Sequence, residues 1–178
     1  MKLQHVLIGA SVALVLSVAL AGGCSRKSRP GEYYNPARAY SIIPPAGWEQ
    51  QPGRGATDVM FACPVGQHSE NFRENISVGT ETLSKAMSLD DYMQSGPDKE
   101  FRRLEGFRYV SVTDVDLGNV KAKRAVFTCS FHDASLQTVV YVAVKGDRGY
   151  ILACASTPEN FSMFERTFDE CAWTFRVE

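Results

Sequence analysis

Residues 120–155 read VKAKRAVFTCSFHDASLQTVVYVAVKGDRGYILACA. Two long runs rich in Val, Phe and Tyr, 120–131 and 136–144, are followed by a third at 150–155. His132, Asp133, Ala134 and Ser135 join the first two, and Gly146, Asp147, Arg148 and Gly149 make a tight turn into the third. Runs of this kind, bounded by turn residues, read as strands, and connections this short set neighbouring strands antiparallel. The stretch therefore predicts an antiparallel meander, and the rest of the fold is read around it.

Just upstream, residues 107–117 alternate and read as another strand. Just downstream, Pro158 opens a helix with Phe161, Phe164 and Phe168 at i, i+3 and i+7, and Cys171 continues that stripe. Further upstream, Ser88 and Asp91 stand at capping-box spacing before an apolar helix face of Leu89, Tyr92 and Met93. Gly96 and Pro97 interrupt that helix, and Phe101 and Leu104 continue it as a second piece. Residues 75–83 alternate with Ile76 and Val78 on one face, and 59–63 form a short strand between Gly55 and Pro64. Residues 64–73 read as a polar loop. An opening hairpin is predicted at 33–43, turning at Asn35, Pro36, Ala37 and Arg38. Pro44, Pro45, Ala46, Gly47 and Trp48 then stop the strand. The order hairpin, two strands, helix, meander, helix predicts an α+β fold, a mostly antiparallel sheet covered by helices.

The N-terminus carries a different signal. Lys2 precedes an apolar segment at 6–21, about 24 Å long as a helix at about 1.5 Å per residue. That is short of a roughly 30 Å hydrocarbon core, so it reads as a secretion signal rather than a span. The segment runs into Leu20-Ala21-Gly22-Gly23-Cys24. These residues resemble the lipobox of bacterial lipoproteins, with Ala21 where that family usually has Leu. The resemblance implies cleavage after Gly23, acylation of Cys24 and attachment to a membrane through that residue. Ser25, not Asp, follows the cysteine, which by the same resemblance implies the outer membrane, with the domain facing the periplasm. The chain then divides into a signal peptide (1–23), a lipidated Cys and polar tether (24–31), and a single domain (32–178). Arg26, Lys27 and Arg29 in the tether are placed to meet anionic head groups, although a solvated linker is the simpler reading.

Three sets of residues carry a further resemblance. They are Tyr40-Ser41-Ile42-Ile43-Pro44-Pro45-Ala46-Gly47-Trp48, Ser88-Leu89-Asp90-Asp91-Tyr92, and Gly149-Tyr150-Ile151-Leu152 ahead of a Phe-rich helix. Together they resemble the PsbP-like and DcrB-like families of small α/β/α sandwich proteins, over nearly the whole of 32–178. The resemblance implies non-enzymatic binding or assembly at membranes, with differing partners; for this chain an envelope protein is the expected partner. No functional residue carries over by motif.

Composition narrows the chemistry. Removing residues 1–23 takes away Lys2, one of 19 cations, and leaves 18 against 20 acidic residues. A near-neutral chain does not fit a nucleic-acid partner. Cys63, Cys129, Cys154 and Cys171 remain as possible disulfide partners in an oxidising compartment, with three full pairings open. Chain direction speaks against Cys154 with Cys171, since a helix returning along its strand puts them a helix length apart. The competing reading is four small buried apolar residues. Cys63 with His68, and Cys129 with His132, are the ligand types of a zinc or soft-metal site, but the spacing is loose and no metal is expected. As nucleophile and base, Cys129 and His132 lie three apart on a strand and face opposite sides. Ser130, His132 and Asp133 are too close along the chain for a triad, and neither Gly-x-Ser-x-Gly nor a phosphate loop occurs. No cofactor is expected. The expected function is a membrane-anchored, non-enzymatic envelope protein. The alternatives are a periplasmic small-ligand or metal-binding module and an enzyme of unrecognised class.

Overall fold

A computed structural model of the chain describes residues 27–66, 72–131 and 134–178. Its elements are β1 (Tyr33–Asn35), β2 (Tyr40–Ile42), β3 (Glu49–Pro52), β4 (Thr57–Ala62), β5 (Asn75–Thr82), α1 (Leu89–Ser95) and α2 (Pro97–Phe101), then β6 (Glu105–Leu117), β7 (Val120–Phe131), β8 (Ala134–Lys145), β9 (Arg148–Ser156), α3 (Pro158–Trp173) and β10 (Arg176–Val177). The meander forms as its sequence predicts. Residues β6 to β9 pair in succession, and β5, β4 and β3 extend the sheet beyond β9. Every pair in this seven-stranded sheet, β3-β4-β5-β9-β8-β7-β6, is antiparallel. A second sheet, β1-β2-β10, is antiparallel too.

Helices cover both faces of the large sheet, so the layers run α/β/α. Along β8, Val139, Tyr141 and Ala143 point to one face and Val140 and Val142 to the other, the period of two that a strand imposes. The first set packs with Phe161, Phe168 and Cys171 of α3 and with Tyr40, Ile42 and Phe175 around the small sheet. The second packs with Tyr92, Met93 and Phe101 of α1 and α2, and with Phe127 and Leu136. Burial on both faces is why 139–144 is continuously apolar.

Local chemistry sets the helix boundaries. The Asp91 amide donates to Ser88 Oγ at 3.1 Å, and that hydroxyl donates to Asp91 Oδ2 at 2.8 Å, so the predicted capping pair forms. Gly96 ends α1 and Pro97 starts α2. Pro158 occupies the first turn of α3.

Two strands depart from the sequence reading. β3, Glu-Gln-Gln-Pro, has no apolar alternation; as an edge strand it forms by pairing with β4, and Pro52 is tolerated there. β10 has two residues and is drawn in by β2, with Arg176 opposite Ser41 and Val177 opposite Tyr40. The β7–β8 hairpin is also tighter than expected: strand pairing runs to Phe131 and resumes at Ala134.

Candidate functional site

The cysteines are the first candidates to place. Cys63, Cys129, Cys154 and Cys171 are all buried, and none of the bridges open in the sequence joins them. The sheet explains part of this. Cys129 packs in the α1–α2 layer, while Cys154 and Cys171 pack in the α3 layer. Cys154 and Cys171 are not held a helix length apart; they share one cluster, which corrects the chain-direction argument. Burial, then the proximity of Cys171 and Asp169, raises the Cys154 thiol well above its ordinary value. Burial pushes Cys171 up to about 12. It also raises Cys129, and it raises Cys63 with help from Glu74. Burial thus favours the protonated form of all four thiols. Gly23, Cys24, His68, His132 and Asp133 lie outside the described residues. Among the described residues, no group of three or more His, Cys, Asp or Glu is arranged to hold a metal ion. Phe161 and Phe168 are core, with Phe164 packed against them.

The densest polar chemistry lies elsewhere. Arg124 on β7 stands opposite Tyr141 on β8, both toward α3. Arg124 donates to Glu165 Oε1 at 2.8 Å and to Asp169 Oδ1 at 3.1 Å. Tyr141 donates its hydroxyl to the same Asp169 oxygen. Burial works against the Arg124 charge, yet Glu165, Tyr141 and Asp169 outweigh it and raise its pKa. Burial and Asp169 raise Tyr141 as well. The cluster clamps α3 to the sheet. Arg124 and Glu165 also line an open cleft of about 330 Å³, together with Val110, Ser111, Val126 and Phe161.

The cleft borders β6, the outermost strand of the sheet. β6 is 13 residues long and mostly exposed. Val110 is 61% and Val112 47% exposed, high for valines on a strand. Pairing with β7 slips between Tyr109 and Ser111, which turns Val110 toward the cleft. A long edge strand with exposed valines offers unpaired backbone groups to another chain.

Sequence reading missed this set, although one signal was available. Arg124 sits between Ala122 and Val126 on the face of β7 that packs in the α3 core. A charge at core parity needs a partner, and Glu165 and Asp169, four apart on α3, flank the Phe stripe. Glu74 is a second missed residue. It is fully buried at the other end of that face, where its Oε1 accepts from Asn160 Nδ2 at 3.1 Å and from Ser156 Oγ at 3.4 Å. The carboxylate thereby ties β5 and β9 to the first turn of α3.

Against solved structures, the chain is similar to cyanobacterial PsbP (CyanoP) from Synechocystis sp. PCC 6803. The TM-score is 0.58 at 16% identity, over 89% of this chain and 99% of the other. The fold is PsbP-like. The same PsbP-like fold relates the chain to LpqN, involved in cell envelope biogenesis of Mycobacterium tuberculosis, with TM-score 0.63 and 13% identity over 78% of this chain and 82% of that one. It is also similar to PA94 from Pseudomonas aeruginosa, a protein of unknown function, with TM-score 0.59 and 12% identity over 83% and 96%. No family model and no curated protein matches the sequence. At these identities the likeness is one of fold.

Proposed function

We propose that this chain is a lipid-anchored protein of the bacterial cell envelope that binds or helps assemble another envelope protein, without catalysing a reaction. The observation that carries the reading is the β6 edge with its adjoining cleft. A partner strand added to the outer edge of β6 around Val110 and Val112 would extend the seven-stranded sheet, and a partner side chain would reach Val110, Val126 and Phe161. Buried thiols leave little nucleophilic chemistry in support of an enzyme. The envelope role of LpqN supports the compartment. Leu20-Ala21-Gly22-Gly23-Cys24 supports the anchor, and Ser25 supports the outer membrane with the domain in the periplasm.

Photocrosslinking in intact cells tests the docking surface. A photoreactive residue at Val110 or Val112 should give one discrete adduct with an envelope protein. The same residue at Met163, exposed on α3, should give none. Equal labelling from all three positions, or none from the strand, overturns the assignment. The intact mass of membrane-extracted protein tests the anchor: a chain starting at Cys24 and carrying acyl groups is expected.

A second reading has one observation in its favour. The β3–β4 hairpin overhangs an open cleft of about 520 Å³ lined by Gln51, Arg54, Thr57, Met60 and Ser77. A polar small molecule would suit that lining. Chemical-shift changes confined to these residues on titration with envelope metabolites would favour the ligand-binding module.

A further inference from the structure

The small sheet has an inner and an outer face. Tyr40, Ile42 and Val177 point inward and are buried in the α3 core. Tyr34, Ser41 and Arg176 share one row on the outer face, with Ser41 between the other two. The chain enters the fold across this face. Arg29 reaches over β2 and donates Nη2 to Ser41 Oγ at 3.2 Å, while Glu32 holds its Nε at 2.7 Å. So Arg29 is docked, where the sequence suggested a solvated linker.

The C-terminal end of α3 borders the same surface. Gly31 lies against Ile43, and the Ile43 amide donates to Thr174 Oγ1 at 2.8 Å. The neighbouring residue, Trp173, is 55% exposed, and its carbonyl accepts from Arg176 Nη1 at 2.9 Å. Tyr34 is 37% exposed. The surface thus gathers the Tyr34 ring, two guanidinium groups and the entry point of the chain, with exposed Trp173 next to it along the chain from Arg176. Its acids are engaged: Glu32 with Arg29, and Glu178 with the Tyr34 hydroxyl.

Chain length decides which way this surface can face. Cys24 precedes Arg29 by five residues, so at about 3.3–3.6 Å per residue it lies within roughly 18 Å of it. A domain of this size is roughly 38 Å across. An acyl anchor at Cys24 therefore cannot bring the far side of the domain to a membrane. We propose that the outer face of the small sheet, with Tyr34, Arg29, Arg176 and Trp173, is the surface that rests on the lipid bilayer. Tyr and Trp suit the head-group level, with an apolar ring and a polar tip. Arg29, paired with Glu32, and Arg176, held by the Trp173 and Phe175 carbonyls, bring two guanidinium groups to the head-group level. The assignment rests on acylation of Cys24, proposed above. It leaves the 105–112 end of β6, at the opposite end of the sheet, free for a protein partner.

Trp48 and Trp173 are the two tryptophans of the chain, so fluorescence can address the surface directly. Trp48→Phe leaves Trp173 as the only indole. The full chain, extracted from membranes with its acyl groups, is reconstituted into phosphatidylethanolamine–phosphatidylglycerol vesicles with or without brominated acyl chains. Trp173 emission should shift to the blue and lose about half its intensity to brominated lipid, as expected of an interfacial indole. Trp173→Phe, which retains Trp48 against Phe164 and Phe168, should be quenched little. Hydrogen exchange on the unsubstituted protein needs no variant: vesicles should slow residues 29–34 and 173–176 and leave 105–112 unchanged. Unquenched Trp173 and unchanged exchange, in protein whose mass shows acylated Cys24, overturn this surface alone. A mass with unmodified Cys24 overturns the anchor, and this surface with it.

Discussion

Arg124 shows how a single residue can hold two layers together. Its side chain is 16% exposed and its guanidinium faces Glu165 and Asp169, which are more open to water. Removing one partner of a buried ion pair costs about 3–5 kcal/mol; the solvated acids here reduce that, and Arg124→Ala is expected to cost about 2–3 kcal/mol. Arg124→Met keeps the apolar stem and should cost less. Denaturant midpoints at unchanged m-value separate the two. Tyr141 adds a pH signature. Its folded-state pKa is raised by burial and by Asp169, so its contribution is complete below the unfolded value near 10 and is lost as pH rises through the folded value. Tyr141→Phe should flatten that alkaline loss. The thiols make an independent prediction. Cys63, Cys129, Cys154 and Cys171 should resist a thiol reagent in the folded protein and all four should react once it is unfolded; two fewer would show a bridge.

At the scale of elements, α2 shows what a short helix needs. Its five residues cannot hold helical structure alone. Phe101 packs on Phe127 with ring centroids 5.1 Å apart. Asp98 accepts from Tyr109 at 2.6 Å and from Arg102 at 2.8 Å, tying α2 to β6. Burial alone would raise the Asp98 pKa; the bonds from Arg102 and Tyr109, with the Arg102 charge, outweigh it and lower the pKa. A lowered carboxylate contributes stability above its unfolded value near 4, and that contribution is lost as pH falls through the folded value. Tyr109→Phe should cost about 1 kcal/mol near neutral pH and lose less on acidification than the parent; urea midpoints measured from neutral pH downward read both. Equal acid sensitivity of the two proteins would contradict it. The same elements show what was legible in the sequence. β7, β8 and α3 could be read because burial writes a period of 2 or 3.6 into their residues. β3 and β10 could not, since each depends on a neighbouring strand distant in sequence. The Arg124 cluster was visible only as one charge at core parity, and its partners lie 41 and 45 residues away.

At the scale of the molecule, one turn joins the two sheets. Gly118 and Asn119 connect β6 to β7. Asn119 donates Nδ2 to the Val177 carbonyl at 2.8 Å and accepts the Val177 amide at 2.9 Å, continuing the edge of the small sheet. Gly118 has φ 61°, and a Cβ there would lie 1.7 Å from the Phe175 carbonyl oxygen. Alanine therefore meets both backbone strain and a backbone collision, neither relieved by turning a side chain. The cheapest relief is displacement of Phe175 and β10, because β10 has only two residues paired to β2. Phe175 stacks on Tyr40 of β2, at 5.5 Å between ring centroids, so the disturbance should pass through the small sheet and stop there. Gly118→Ala should speed hydrogen exchange at Tyr33–Asn35, Tyr40–Ile42 and Arg176–Val177 while β5, β8 and β9 keep their protection, a local opening rather than a global one. Uniformly faster exchange would mean that the two sheets unfold as one unit. Unchanged exchange would mean that the junction does not hold the small sheet in place.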